Sequence, residues 1–149
     1  MAGEAGNMKL KAVGVVKNRV RAGPPPDWGE IISDIVIDDS LIEALAGLDE
    51  FSHIVTLCWM HRITKTEMPL MIHPKGKPEL PLLGLFATRT PNRPNRIGET
   101  VVRLLQCQGN VLKVKGLDAF DGTPVIDIKP YIPRHDLGEV RVPSWVSKL

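Results

Sequence analysis

Aromatic side chains are scarce in this 149-residue chain: three Phe, three Trp and one Tyr, 5% of the total. A core of stacked rings is therefore excluded, and Val, Ile and Leu must fill it. Cysteine is scarcer still, and the two present, Cys58 and Cys107, each sit inside an apolar run. They read as buried thiols of a reducing compartment rather than as a disulfide framework. No apolar run approaches the roughly 20 residues that cross a bilayer. The first seven residues are small and polar, with no secretory apolar core. The expectation is a cytoplasmic protein with a loose leader over 1–7 and no membrane partner. A dominant charge is also missing, because 19 Lys and Arg stand against 17 Asp and Glu. A net +2 does not announce a nucleic-acid partner, so any basic site must be local. No G-x-G-x-x-G after a strand, no P-loop and no G-x-S-x-G occurs, so the nucleotide folds and nucleophile elbow they mark are not indicated.

What is present is strand periodicity. Residues 9–17, 30–38, 52–61, 83–89, 100–107, 111–117 and 124–129 carry alternating or strongly β-prone text. Ser40 and Glu43 have capping-box spacing before a short apolar stripe, and Gly47 is placed to end that helix. Prolines stiffen the loop at 24–26 and punctuate the long stretch 62–81. Turns are expected at 108–110 and 121–122. Most connections are too short for parallel crossovers. The expected fold is mainly β: a single-sheet antiparallel β-barrel with one short helix and long Pro-rich loops. The barrel domain is drawn over 8–136, with a tail over 137–149.

Two stretches carry chemistry. Between Arg89 and Arg103 lie four arginines and one acid, Glu99, with Pro91 and Pro94 fixing the backbone. Arginine forks suit phosphate or carboxylate, and Asn92 and Asn95 add paired donors and acceptors. The same text also suits a solvated basic hairpin. In the second stretch, Asp127 and Lys129 alternate with Ile126 and Ile128. They form either a cross-face ion pair or, if that face lines a cavity, a proton acceptor with a cation beside it. Asp121-Gly122 reads on its own as a turn. His53 and His61 share a strand face, His73 and His135 stand alone, and no metal-site spacing occurs.

At these residues the chain resembles the TrmO family, also called TsaA-like or YaeB. The resemblance rests on 14–16, 47–48, 51–53, 84–89, 93–95, 97–98, 121–124 and 127–131. It implies a barrel methyltransferase, active as a homodimer, that uses S-adenosyl-L-methionine to methylate N6 of threonylcarbamoyladenosine beside the anticodon of tRNA. By position it implies a cofactor site drawn from Pro24, Pro25, Pro26, His61, Arg62, Arg89, Glu99, Asp121, Gly122, Thr123 and Pro124. Within that reading, Asp127 or Asp121 accepts the N6 proton and Arg93 or Arg89 faces the threonyl carboxylate. Lys129 and Tyr131 position the base. Arg93, Asn95, Arg96 and Arg103 meet RNA, and no metal takes part. Arg96 stands where the family commonly has proline, and Glu99-Thr100 replaces a more apolar pair. The resemblance also sets the expectation that an extension carried by some members is absent, altering tRNA binding. The competing expectations are a non-catalytic RNA-binding barrel and a methyltransferase of a small metabolite.

Overall fold

The computed structural model describes residues 8–64, 66–134 and 137–149. The leader expected over 1–7 and the lone His135 lie outside the described residues. Among the described residues eight strands occur, in the order β1 (Gly14–Lys17), β2 (Ile32–Ile37), β3 (His53–Trp59), β4 (Met71–Ile72), β5 (Leu83–Gly84), β6 (Ile97–Gln108), β7 (Val111–Lys115) and β8 (Pro124–Pro130). Six of them close a barrel in the order β1-β2-β7-β6-β3-β8, and β4 and β5 form a separate two-stranded ribbon. Contacts divide the chain into two compact units: residues 8–60 with Gly98–Tyr131, and His61–Ile97 with Ile132–Leu149.

The barrel forms because one face of each strand is apolar. Val16, Ile35, Ile37, Ile54, Cys58, Val102, Leu112, Val114, Leu117 and Val125 all belong to one buried cluster, which contains no aromatic ring. Among the polar side chains buried in this unit, Thr56 and Ser33 are satisfied across the barrel. The Thr56 hydroxyl donates to the Thr100 carbonyl at 3.1 Å, and Ser33 accepts from Asn18 at 2.9 Å. Closure needs curvature, and the register shifts at Leu57/Cys58 and Leu104/Gln106 supply it as bulges. A two-residue hairpin at Gly109 and Asn110 joins β6 to β7, with Gly109 at φ 59°. The Asn110 amide ties this turn to the Ile37 carbonyl at 2.8 Å.

Some local expectations shift. The helix near residue 40 is a 3-10 segment, Asp39–Leu45, and its cap is Asp38 rather than Ser40. The Asp38 carboxylate accepts from the Ser40 amide at 2.9 Å and also from the Ser40 hydroxyl. Those bonds favour its ionised form, so the Asp38 carboxyl is held below its ordinary range. Gly47 follows in the left-handed region, at φ 84°. The strand expected over 83–89 stops at Gly84, because Thr88 closes a 3-10 turn, Leu85–Ala87, onto the Leu85 carbonyl with both its amide and its hydroxyl. Among the described residues no helix is long and apolar enough to cross a membrane.

β1 is only four residues long, yet it pairs with β2 on one edge and β8 on the other. At Gly14 a Cβ would meet the Val36 carbonyl oxygen at 2.6 Å and the Ile37 Cα at 3.2 Å, and backbone cannot move aside. Gly14→Ala is therefore expected to cost about 1–3 kcal/mol of stability, read as a lower denaturant midpoint with an unchanged slope. Burial pushes the Cys58 thiol up from 9.0 to about 12, with the Asp118 carboxylate adding to the shift. The folded state thus keeps a proton the unfolded chain releases. The stabilisation is present below about pH 9 and lost as pH rises towards 12. In alkaline melts, Cys58→Ala should decline less steeply than the parent over that window.

Candidate functional site

The seam between β1 and β8 runs on past both strands into a loop cluster. The Val16 amide donates to the Thr123 carbonyl at 2.9 Å, and the Gly122 amide returns to Val16 at 2.8 Å. Residues 120–123 form a tight turn, closed by the Thr123 amide and hydroxyl on the Phe120 carbonyl. Gly122 takes the left-handed backbone this turn requires, at φ 84°. Thr123 is buried.

Asn18 braces this turn through its backbone amide and its side chain. Its backbone amide donates to Asp121 Oδ1 at 3.0 Å, and its side-chain amide donates to Ser33 Oγ and the Ala119 carbonyl, each at 2.9 Å. Its side-chain oxygen accepts from the Val20 amide at 2.9 Å. Asp121 Oδ2 lies 3.9 Å from Arg21 Nε, and the Asp121 side chain is 23% exposed. Trp28 meets Phe120 edge to face at 5.4 Å between centroids. Pro24 and Pro25 are exposed and Pro26 half-buried in the loop that precedes Trp28. The result is a rigid turn offering a part-exposed carboxylate, an open glycine and a neighbouring ring pair.

Asp127 and Lys129 lie on β8 opposite Leu57 and Val55. Ile54, Thr56 and Cys58 on the alternate positions of β3 are buried, so the two charged residues face away from the barrel interior. They form an ion pair at 2.7 Å, and Asp127 Oδ1 also accepts from the Ile128 amide. Half-exposed pairs of this kind contribute roughly 0.2–1 kcal/mol. Tyr131 is 44% exposed, and its amide donates to the His53 carbonyl. Glu99 and Arg103 lie exposed on β6, where Arg103 is in register with Lys115. The Thr100 hydroxyl donates to the Asp118 carboxylate.

The second unit holds His61, Arg62, Arg89, Arg93, Asn95 and Arg96. Its arginine loop is internally tied. Arg93 donates to the Thr88 carbonyl at 2.8 Å and the Thr90 carbonyl at 3.3 Å, and its guanidinium lies over the Phe86 ring, 5.8 Å from the centroid. Arg96 donates to the Ile63 carbonyl. His61, Arg62, Arg89 and Asn95 are exposed. His73 Nδ1 donates to the Leu80 carbonyl at 2.7 Å. No group of three or more His, Cys, Asp or Glu among the described residues is placed to hold a metal ion.

Residues 25–137 match the family model described as the tRNA-methyltransferase O N-terminal domain. The chain belongs to this family. A TrmO crystal structure superimposes with a TM-score of 0.72 at 30% identity, covering 91% of this chain and 63% of that one. This chain therefore spans less than two thirds of that TrmO chain. A protein of Methanothermobacter thermautotrophicus, named a probable S-adenosyl-L-methionine-binding protein, is 41% identical over 128 residues, 83% of this chain and 90% of its own length. A mouse protein named tRNA (adenine(37)-N6)-methyltransferase is 41% identical over 95 residues, 62% of this chain and 21% of its own length.

Within the TrmO fold of this chain, sequence reasoning passed over Asn18. Its bonds reach Ser33, Ala119 and Asp121, up to 103 positions away, and no local spacing marks them. Asn18→Ala would strip the buried Ser33 and the Ala119 carbonyl of their donor. A loss of about 1–3 kcal/mol is expected, together with faster hydrogen exchange at the Val20 and Gly122 amides.

Proposed function

We propose that this chain is an S-adenosyl-L-methionine-dependent methyltransferase acting on N6 of threonylcarbamoyladenosine next to the anticodon of tRNA, as a cytoplasmic homodimer. The observation that carries the reading is the family match over residues 25–137, which takes in both the braced turn and the arginine loop. The names of two relatives, one for the cofactor and one for an adenine of tRNA, support its two halves.

The donor set at the turn suits the cofactor. S-adenosyl-L-methionine carries a sulfonium and an ammonium, which a part-exposed carboxylate such as Asp121 attracts. The edge-to-face pair of Trp28 and Phe120 offers apolar ring surface to an adenine. Nothing lies within 4 Å of where a Cβ on Gly122 would stand, so its backbone is open to a ligand. Pro24, Pro25, Pro26, Glu99, Thr123 and Pro124 complete this part of the set, with His61, Arg62 and Arg89 carried over by family position. When bound, the cofactor supplies a methyl group that is already electrophilic.

The residues of the chain then have positioning and proton work. N6 of a urea-like unit is a poor nucleophile and must lose its proton, which calls for a nearby base. Asp121 or Asp127 takes that proton, and Lys129 and Tyr131 orient the base. Arg93 or Arg89 faces the threonyl carboxylate as a fork of donors. Arg93, Asn95, Arg96 and Arg103 contact RNA.

Methyl transfer from labelled S-adenosyl-L-methionine to total tRNA, followed by nucleoside mass analysis, tests the reading. Label is expected on threonylcarbamoyladenosine. Label on another nucleoside would overturn the substrate and keep the reaction class. Transfer to a small metabolite alone, or RNA binding with no cofactor uptake, would replace the reading with one of its two competitors.

A further inference from the structure

Phe86 is 78% exposed, the most exposed aromatic residue among those described. Leaving such a ring in water forgoes the gain of burying it, yet its backbone is held firmly. The 3-10 turn Leu85–Ala87 fixes it, anchored by buried Leu85 and closed by Thr88. Arg93 bonds the Thr88 carbonyl and sets its guanidinium over the ring. One ring face thus carries a cation, and 78% exposure leaves the ring open to a second flat partner.

The charge around it points to a polyanion. The unit that holds Phe86 has ten Lys and Arg against four Asp and Glu, a net +6, whereas the rest of the chain is at −4. The near-neutral total conceals this division. Leu70 is 71% exposed, and its carbonyl receives the amide of Leu85, the residue before Phe86.

We propose that Phe86, backed by the Arg93 guanidinium, is a stacking platform for an unpaired base of single-stranded RNA. An exposed ring with an adjacent arginine in a basic unit is how proteins hold unstacked bases without reading their edges. The choice of RNA rests on the proposed function, and the site adds to it a contact that acts on substrate rather than on cofactor.

The test measures affinity for a synthetic anticodon stem-loop RNA by fluorescence anisotropy, alongside cofactor affinity by calorimetry. Phe86→Ala should bind the RNA about 5- to 150-fold more weakly. Its melting temperature, its cofactor affinity and the salt dependence of RNA binding should not change, because no phosphate contact is lost. Phe86→Trp should restore binding and Phe86→Leu should not, since stacking needs a plane rather than bulk. RNA affinity of Phe86→Ala equal to the parent, or rescue by leucine, would overturn the platform while methyl transfer by the parent left the proposed function standing. A parent chain that neither binds the RNA nor methylates tRNA would overturn both.

Discussion

Closure of the barrel at β1 is the constraint on which the rest depends. A four-residue strand must satisfy two neighbours at once, and it does so with Gly14 pressed against the backbone of β2. The same seam continues as hydrogen bonds from Val16 to Gly122 and Thr123, and from Asn18 to Asp121. The element that closes the fold therefore also sets the turn that presents Asp121. The edge of the barrel and the placement of this turn thus rest on one set of hydrogen bonds.

The composition explains why the polar seam matters. With so few aromatics, the interior is aliphatic and its burial is non-directional. Register must come from elsewhere. Ser33 and Thr56 supply it inside the barrel, because each buried hydroxyl has one partner that a slipped strand would lose. Asn18 does the same at the mouth of the seam, joining three chain segments through one side chain.

Much of the barrel was legible in the sequence, because half-buried strands announce themselves by alternation, as at 53–59 and 111–115. Gly122 was legible as a turn residue for its backbone freedom. The helix type was less so: Ser40 has the right spacing for a cap, but the segment begins one residue earlier, at Asp39, and Asp38 caps it by accepting from the Ser40 amide. The region 83–89 reads as a strand, and only the bonds of Thr88 to Leu85 reveal that it turns. The arginine loop was visible as composition, but not the use of Arg93 and Arg96 on backbone carbonyls. The ion pair of Asp127 and Lys129 follows from their shared face, which period two gives directly. The partition of charge between the two units was hidden, since the basic and acidic halves interleave along the chain.

The turn braced by Asn18 is the proposed seat of S-adenosyl-L-methionine. The most direct measurement is a titration of the isotope-labelled protein with S-adenosylhomocysteine, following backbone amide shifts by nuclear magnetic resonance. Saturable shifts are expected at Asn18, Val20, Asp121, Gly122 and Thr123. Saturable binding that leaves those amides unmoved, or no binding at all, would contradict that placement.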